Sequence, residues 1–371
     1  MTRKHVIITK LFEFGGSNTH LKTLINYFGK QNVILILEDT NQLLYLKSIE
    51  PNLLVKIKPN LHSYAHLNYP SILSNLKELV FILKSILDIL FLSIKHDFAD
   101  VTISAVEPEK HLYFLWLPYI KVTYILHSTP SIKYTSFTAF TCNSKLGNQK
   151  KIITVSNSNK KLICENWDLS DKKKPFINVI YNTIIECDPK NLDSSFASKS
   201  ADQRYVVTLG HVTDYKNPDI WLEVAKLVTS MRVNVQFLWF GGGPLLNYFQ
   251  ETAQKINRVS FLGMTTNADN YLKTATLYYQ PSLYETQGIA VLEAMYNKLP
   301  CVVANIGGLP ESVQNKHNGI LVDPRNIQEN VDAIIHLLDN DELRLLYGLN
   351  SYNRYQELFT YTNFKAKMDA I

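Results

Sequence analysis

Residues 281–319 read PSLYETQGIAVLEAMYNKLPCVVANIGGLPESVQNKHNG. Two carboxylates in it, Glu285 and Glu293, have seven residues between them. Glu285 follows Pro281-Ser282 and precedes Gly288, which puts it in a loop. Residues 289–296 are good helix formers, with apolar Ile289, Leu292 and Met295 at helical spacing. Glu293 therefore falls about one turn into a helix that Leu299-Pro300 ends. The helix N-terminus lies between the two acids. Its first N–H groups, around Gly288, Ile289 and Ala290, lack intrahelical partners and carry the positive end of the dipole. Such a terminus binds anions, and glycine at 288 lets a phosphate approach closely. Carboxylates accept strong, charge-assisted hydrogen bonds from hydroxyls. The row carboxylate, anion cradle, carboxylate thus matches the row hydroxyls, diphosphate, hydroxyls that a nucleotide-sugar presents.

The same stretch resembles the donor-site signature of the retaining family 4 (group 1) glycosyltransferases. That signature is a Glu, seven residues, a second Glu and Ala-Met, here Glu285 to Glu293-Ala294-Met295. The trailing pattern of the family also follows in order: Val302-Val303-Ala304, Gly307-Gly308-Leu309-Pro310-Glu311 and Asn318-Gly319. Two glutamates at this spacing alone would carry little, because solvated helical pairs are common. One departure stands inside the motif: the family's Gly-Phe-Gly is Thr286-Gln287-Gly288 here.

The chain has 371 residues, 46% of them apolar and 19% charged, which fits a globular protein of two ordinary domains. Cys142, Cys164, Cys187 and Cys301 are scattered, with no C-x-x-C, and read as thiols in a reducing compartment. The first ten residues pass into a strand pattern without a cleavage site, so a cytoplasmic location is expected. Residues 79–94, LVFILKSILDILFLSI, are interrupted by Lys84 and Asp88 and are too short in apolar run to span a bilayer. They read as a helix buried in the first domain, with an interfacial helix as the alternative. Charge is uneven. Residues 1–183 hold 22 Lys and Arg against 13 Asp and Glu, a net +9, and the remainder is net −4. A basic first half suits an anionic partner, either a membrane surface or an acceptor diphosphate. No nucleic-acid-binding motif occurs, so no nucleic acid partner is expected.

Along the chain, residues 5–9 read as a strand, Gly15-Gly16 as the turn after it, and Ser17 or Asn18 as the cap of a helix. Residues 33–37 read as the next strand. Strand, glycine turn, helix, strand opens a parallel α/β sheet, and the missing third glycine speaks against NAD. Further strands are expected at 100–106, at 122–126 ending in His127, and at 152–155, followed by Ser156-Asn157-Ser158 as the cap of a helix beginning near Asn159. A polar, Ser- and Asp-rich linker is expected at 184–203. Strand–helix alternation resumes at 205–209 and continues through 235–240, 259–262 and 275–280. The expected organisation is residues 1–183 as an acceptor-side Rossmann-like domain and 204–350 as a donor domain. Residues 351–371 are expected as a C-terminal helix packing back toward the first domain. The fold class is α/β, and the resemblance implies the GT-B arrangement of two parallel-sheet domains facing each other across a cleft.

The resemblance also implies roles. In the family, a Gly-Arg, four residues, Lys-Gly turn holds the diphosphate; here it reads Gly210-His211, four residues, Lys216-Asn217. The lysine is kept. The arginine is histidine, which is only partly charged near neutrality. By the resemblance Glu285, Lys216 and His127 are the catalytic group, with His127 contacting the donor sugar. Gly15, Gly16, His211, Met264, Gln287, Gly288, Ile289, Ala290 and Glu293 form the donor-binding set. The implied activity is retaining transfer of a hexosyl group from a nucleotide-diphosphate-sugar to a glycan or lipid-linked acceptor, in cell-surface polysaccharide or glycolipid assembly, peripheral to the membrane. The sequence has no Asp-x-Asp and no metal-ligand spacing, so no cofactor and no metal are expected. An epimerase-like enzyme on a similar fold and a non-catalytic partner subunit remain as alternatives.

Overall fold

The computed structural model of the chain describes residues 4–9, 15–37, 46, 52–58, 72–105, 112–128, 136–184, 203–265 and 268–371. The chain divides into two compact units. One comprises residues 1–13 and 17–181, the other residues 14–16 and 182–371. Most of the linker expected at 184–203 lies outside the described residues.

The first unit is built on β1 (Lys4–Thr9), β2 (Val33–Leu37), β3 (Leu54–Ile57), β4 (Phe98–Ala105), β5 (Lys121–Leu126), β6 (Lys150–Thr154) and β7 (Ile177–Val179). They form one sheet in the order β3-β2-β1-β4-β5-β6-β7, parallel at every pairing. The run VILIL of β2 is wholly buried, as a strand covered on both faces requires. The helices of this unit include α1 (Gly16–Phe28), α2 (Ile72–His96), α3 (Ser136–Lys145) and α4 (Asn157–Asn166). Of the expected run Ser156-Asn157-Ser158, Ser156 is the cap of α4, its Oγ accepting from Asn159 N at 3.1 Å, and the helix starts at Asn157 rather than near Asn159. The cap expected for α1 is absent. The helix begins at Gly16, so Ser17 and Asn18 lie inside its first turn.

The reading of residues 79–94 as a buried helix needs correction. They belong to α2, whose inner face packs Ile82, Ser85, Ile89 and Leu92 while Val80, Leu83, Leu87, Phe91 and Ile94 stand exposed. A sheet can bury one stripe of a helix, and this sequence is apolar on two.

The second unit repeats the plan with β8 (Arg204–Leu209), β9 (Val235–Phe240), β10 (Val259–Gly263), β11 (Leu277–Gln280), β12 (Cys301–Ala304) and β13 (Gly319–Val322). Its sheet runs β10-β9-β8-β11-β12-β13, again all parallel. Around it lie α5 (Pro218–Met231), α6 (Leu246–Ala253), α7 (Ala268–Thr274), α8 (Ile289–Tyr296), α9 (Leu309–Ser312), α10 (Ile327–Leu338), α11 (Asp341–Leu358) and α12 (Tyr361–Asp369). The core centres on Trp221, Trp239 and Phe261, with ring centroids 4.9–5.3 Å apart. Residues 351–371, expected as one helix, are the end of α11 and all of α12. The break falls at Thr360, whose side chain caps α12 by accepting from Asn363 N.

In each sheet the strand order reverses once, between β1 and β4 and between β8 and β11. Ligands of open α/β sheets bind outside the strand ends at such a reversal. The loops that leave β8 and β11 are the ones carrying Lys216 and Glu285.

Candidate active site

β11, LYYQ, is buried throughout, at the centre of its sheet. Pro281 has no N–H to continue the ladder, and the chain turns into the loop carrying Glu285. Three contacts hold that loop in place. Leu283 N donates to Tyr215 O at 2.8 Å. Asn217, in the left-handed conformation (φ 60°), donates through Nδ2 to Pro281 O at 3.0 Å and Pro324 O at 2.8 Å. Asparagine tolerates that conformation better than most residues, so it can stand where the family has glycine. Gly308 N donates to Glu285 O at 3.1 Å, and a β-carbon on Gly307 would meet that same oxygen at 1.9 Å. The Gly-Gly pair is thus needed for the close approach of its loop to Glu285.

The Glu285 side chain pairs with Lys216: Nζ donates to Oε2, and both side chains are 13% exposed. Burial works to lower the Lys216 pKa, but the Glu285 carboxylate outweighs it and the net shift is upward. The lysine is therefore charged at any physiological pH. Glu285 Oε2 also accepts from Gln280 Nε2 at 3.1 Å. Gln280 Oε1 in turn accepts from the Tyr278 hydroxyl at 2.7 Å, which also lies 3.2 Å from Leu209 O. Burial raises the Tyr278 pKa well above its usual value, so the hydroxyl stays a donor. This buried line from β11 to Glu285 was not foreseen in the sequence. Its one signal is a glutamine ending an otherwise apolar strand, two residues after a tyrosine, which puts both on one face.

Helix α8 spans Ile289–Tyr296, as the spacing predicts, with Gly288 at φ 83° before it. Val291 N and Leu292 N turn back to Gly288 O, so the N–H groups of Ile289 and Ala290 precede the first internal bond. Glu293 lies one turn in, and it and Glu285 both act electrostatically on the Tyr278 hydroxyl. Gln287 is fully buried, and its Oε1 accepts from Asn182 N at 2.8 Å and Asn182 Nδ2 at 3.0 Å. Where the family has phenylalanine, this chain has an amide gripping the segment that enters the second unit.

The glycines around these residues bring further expected positions together. Gly15 and Gly16 group with the second unit. A β-carbon at Gly15 (φ 129°) would stand 2.7 Å from His211 Cε1, and one at Gly16 would stand 3.0 Å from Ile289 Cδ1. Gly210 (φ 150°) lies beside the Lys216 stem, and a β-carbon at Gly242 would meet Met264 Cγ at 3.0 Å. Lys216, Glu285, Gly288, Ile289, His211, Gly15 and Gly16 thus form one neighbourhood, with Met264 over the neighbouring turn after β9.

His127 belongs to the first unit, at the end of β5. It is half-buried, 3.0 Å from Ser104 Oγ through Nε2 and edge-on to His20 with centroids 4.2 Å apart. Burial lowers its pKa to about 4, so the imidazole is neutral at physiological pH. Among the described residues no group of three His, Cys, Asp or Glu is placed to hold a metal ion.

Residues 190–354, which carry this neighbourhood, match the family model described as glycosyl transferases group 1. That segment, a little under half of the chain, is similar to the group 1 glycosyl transferases. Among curated proteins the chain is 30% identical over 149 residues to the UDP-Gal:alpha-D-GlcNAc-diphosphoundecaprenol alpha-1,3-galactosyltransferase of Escherichia coli, covering 38% of each chain. It is 27% identical over 254 residues to the N-acetyl-alpha-D-glucosaminyl L-malate synthase of Bacillus anthracis, covering 65% of this chain and 64% of that one. It thus spans less than two thirds of the length of either relative. Among solved structures it resembles Anabaena Alr3699/HepE in complex with UDP, with a TM-score of 0.76 and 17% identity over 99% of this chain and 98% of that one. At that identity the likeness is one of fold. It places the chain, with its two all-parallel units, in the GT-B architecture.

Proposed function

We propose that the chain is a retaining glycosyltransferase that moves a hexosyl group from a nucleotide-diphosphate-sugar to a glycan or lipid-linked acceptor. The observation that carries this reading is the Lys216–Glu285 pair set beside the N-terminus of α8. The donor diphosphate takes Lys216 from Glu285 and lies against the Ile289 and Ala290 N–H groups. Glu285, held by Gln280, is then free to accept hydrogen bonds from the sugar hydroxyls, and Glu293 accepts from the ribose. Gly15, Gly16 and His211 stand near the phosphates; His127, neutral and in the first unit, is given to the sugar by the family resemblance alone. The C1–O bond to phosphate breaks as negative charge builds on the diphosphate. Lys216 and the helix terminus stabilise that charge in place, and no metal is called on. The acceptor oxygen bonds to C1 on the face the phosphate leaves, and the acceptor proton passes to a phosphate oxygen. The name of the Escherichia coli relative carries UDP-Gal and a diphosphoundecaprenol-linked acceptor. With the net +9 of residues 1–183, it supports a lipid-linked acceptor and a place at the cytoplasmic face of the membrane.

The test is nucleotide release from a panel of nucleotide-sugars by the purified chain, in chelator, with and without lipid-linked acceptors. Acceptor-dependent release of one nucleoside diphosphate, with a glycoside as product, is expected. Epimerised donor as the product would make it an epimerase. No turnover and no nucleotide binding would make it a non-catalytic subunit.

A further inference from the structure

The exposed face of α2 does not belong to the donor site. Val80, Leu83, Leu87, Phe91 and Ile94 follow one another at three- and four-residue steps, so they form one stripe. Each is more than half exposed, and Ile94 is 85% exposed. From Val80 to Ile94 the stripe is about 21 Å long at 1.5 Å per residue. A contiguous apolar strip of that length on the surface of a folded unit marks a contact site.

What covers it is decided by charge. Lys84 stands one turn beyond Val80 and Lys95 one turn beyond Phe91, so both flank the stripe on the same side and both are exposed. At the end of the helix burial lowers the pKa of His96, and Lys56, Lys95 and Lys4 lower it further, so three lysines lie near that end. Asp88 lies on the same flank between Lys84 and Lys95, and Asp97 follows the helix, so the two acids offset only part of the four lysines' charge. A second copy of the chain would set a unit of net +9 against another of net +9. An anionic surface brings the opposite sign together with an apolar layer.

We propose that α2 is a membrane-docking helix that lies in the headgroup plane of an anionic bilayer. Its outer stripe enters the acyl boundary while Lys84, Lys95 and the lysines at its C-terminal end meet lipid phosphates. The helix does not cross the bilayer. Its inner face, Ile82, Ile89 and Leu92, stays packed in the first unit, and no helix among the described residues is long and apolar enough to span a membrane. Attachment is reversible and falls as salt rises, because part of it is screened attraction. This deepens the lipid-linked-acceptor reading by naming the surface that brings the enzyme to such an acceptor.

The experiment is co-sedimentation of the full chain with phosphatidylcholine vesicles, with and without phosphatidylglycerol, at low and high salt. Binding is expected only to the anionic vesicles, and more weakly at high salt. Leu87→Glu/Phe91→Glu is expected to lower the partition coefficient about tenfold or more at an unchanged melting temperature, since both side chains already face water. Lys84→Glu/Lys95→Glu is expected to lower it about tenfold and flatten its salt dependence. Leu87→Ser/Phe91→Ser provides a milder pair should the glutamates disturb folding. Wild-type protein that ignores anionic vesicles overturns the proposal, as does binding that survives loss of the stripe. A solution dimer abolished by the stripe variants would assign the stripe to a second copy and also overturn it. The assay contains no nucleotide-sugar, so its failure leaves the donor reading standing, and an inactive enzyme that still binds vesicles leaves this one standing.

Discussion

Glu285 and Glu293 differ in what surrounds them. Glu285 is fixed by Lys216, by Gln280 and, through its backbone, by Gly308. Glu293 stands one turn into α8. Glu293→Ala is expected to weaken nucleotide binding by about 1.5–3 kcal/mol, the value of a charged acceptor for hydroxyls, read by calorimetry. Glu285→Ala is expected to reduce turnover more than nucleotide affinity; full turnover with poor binding would exchange the two roles. Gln280→Leu removes one hydrogen bond to the Glu285 carboxylate. It is expected to lower kcat about tenfold with little change in donor KM, because it orients Glu285 without touching the donor. If kcat is kept and only the melting temperature falls, Gln280 is structural alone. The glutamates, Lys216 and the glycines were legible in the sequence because their spacing repeats a known signature. Gln280 and Tyr278 were not, because their partners come from β8 and from beyond Pro281, and linear order does not show which side chains share a strand face. Gln287 was read as a donor contact. Its grip on Asn182 joins residues 105 apart in the chain, which no local pattern reveals.

Helix α8 and strand β9 fall where the sequence places them. Helix α2 was misread because its apolar residues wrap both faces, and spacing cannot say which face meets the sheet. The first unit also carries two histidines whose burial has a consequence for pH. His5 on β1 stacks on Phe28 and lies 2.8 Å from Thr102 Oγ1, and burial lowers its pKa to about 3. His127 is lowered to about 4. Both folded values lie below the ordinary 6.5, so the unfolded chain binds protons first as the pH falls. Their stabilisation is full above about pH 6.5 and is lost progressively toward pH 4 and 3. At pH 5 the loss from His127 alone is about 2 kcal/mol by linkage. Urea unfolding at pH 7 and pH 5 is expected to show that difference in the wild type and a smaller one in His127→Asn. Equal acid sensitivity in the two proteins would contradict the assignment.

At the scale of the whole molecule the chain repeats one plan, two all-parallel sheets each with a single reversal of strand order. The alternation of strand and helix made the parallel sheets legible. The division of the chain was legible only approximately, because it falls at residues 181–182, where β7 has just ended and the chain is still apolar. The placement of residues 14–16 with the second unit was not legible at all, since it depends on contacts with His211 and Ile289 some two hundred or more residues away. The central claim is that the reversal between β8 and β11 holds a donor diphosphate on Lys216 and the start of α8. It is tested most directly by calorimetric titration of the full chain with nucleoside diphosphates in the presence of chelator, beginning with UDP. The expected result is saturable binding of at least one of them, weakened about tenfold or more in Lys216→Met through loss of a charge-assisted bond. Binding of none of them, or equal binding by the wild type and Lys216→Met, would contradict the account.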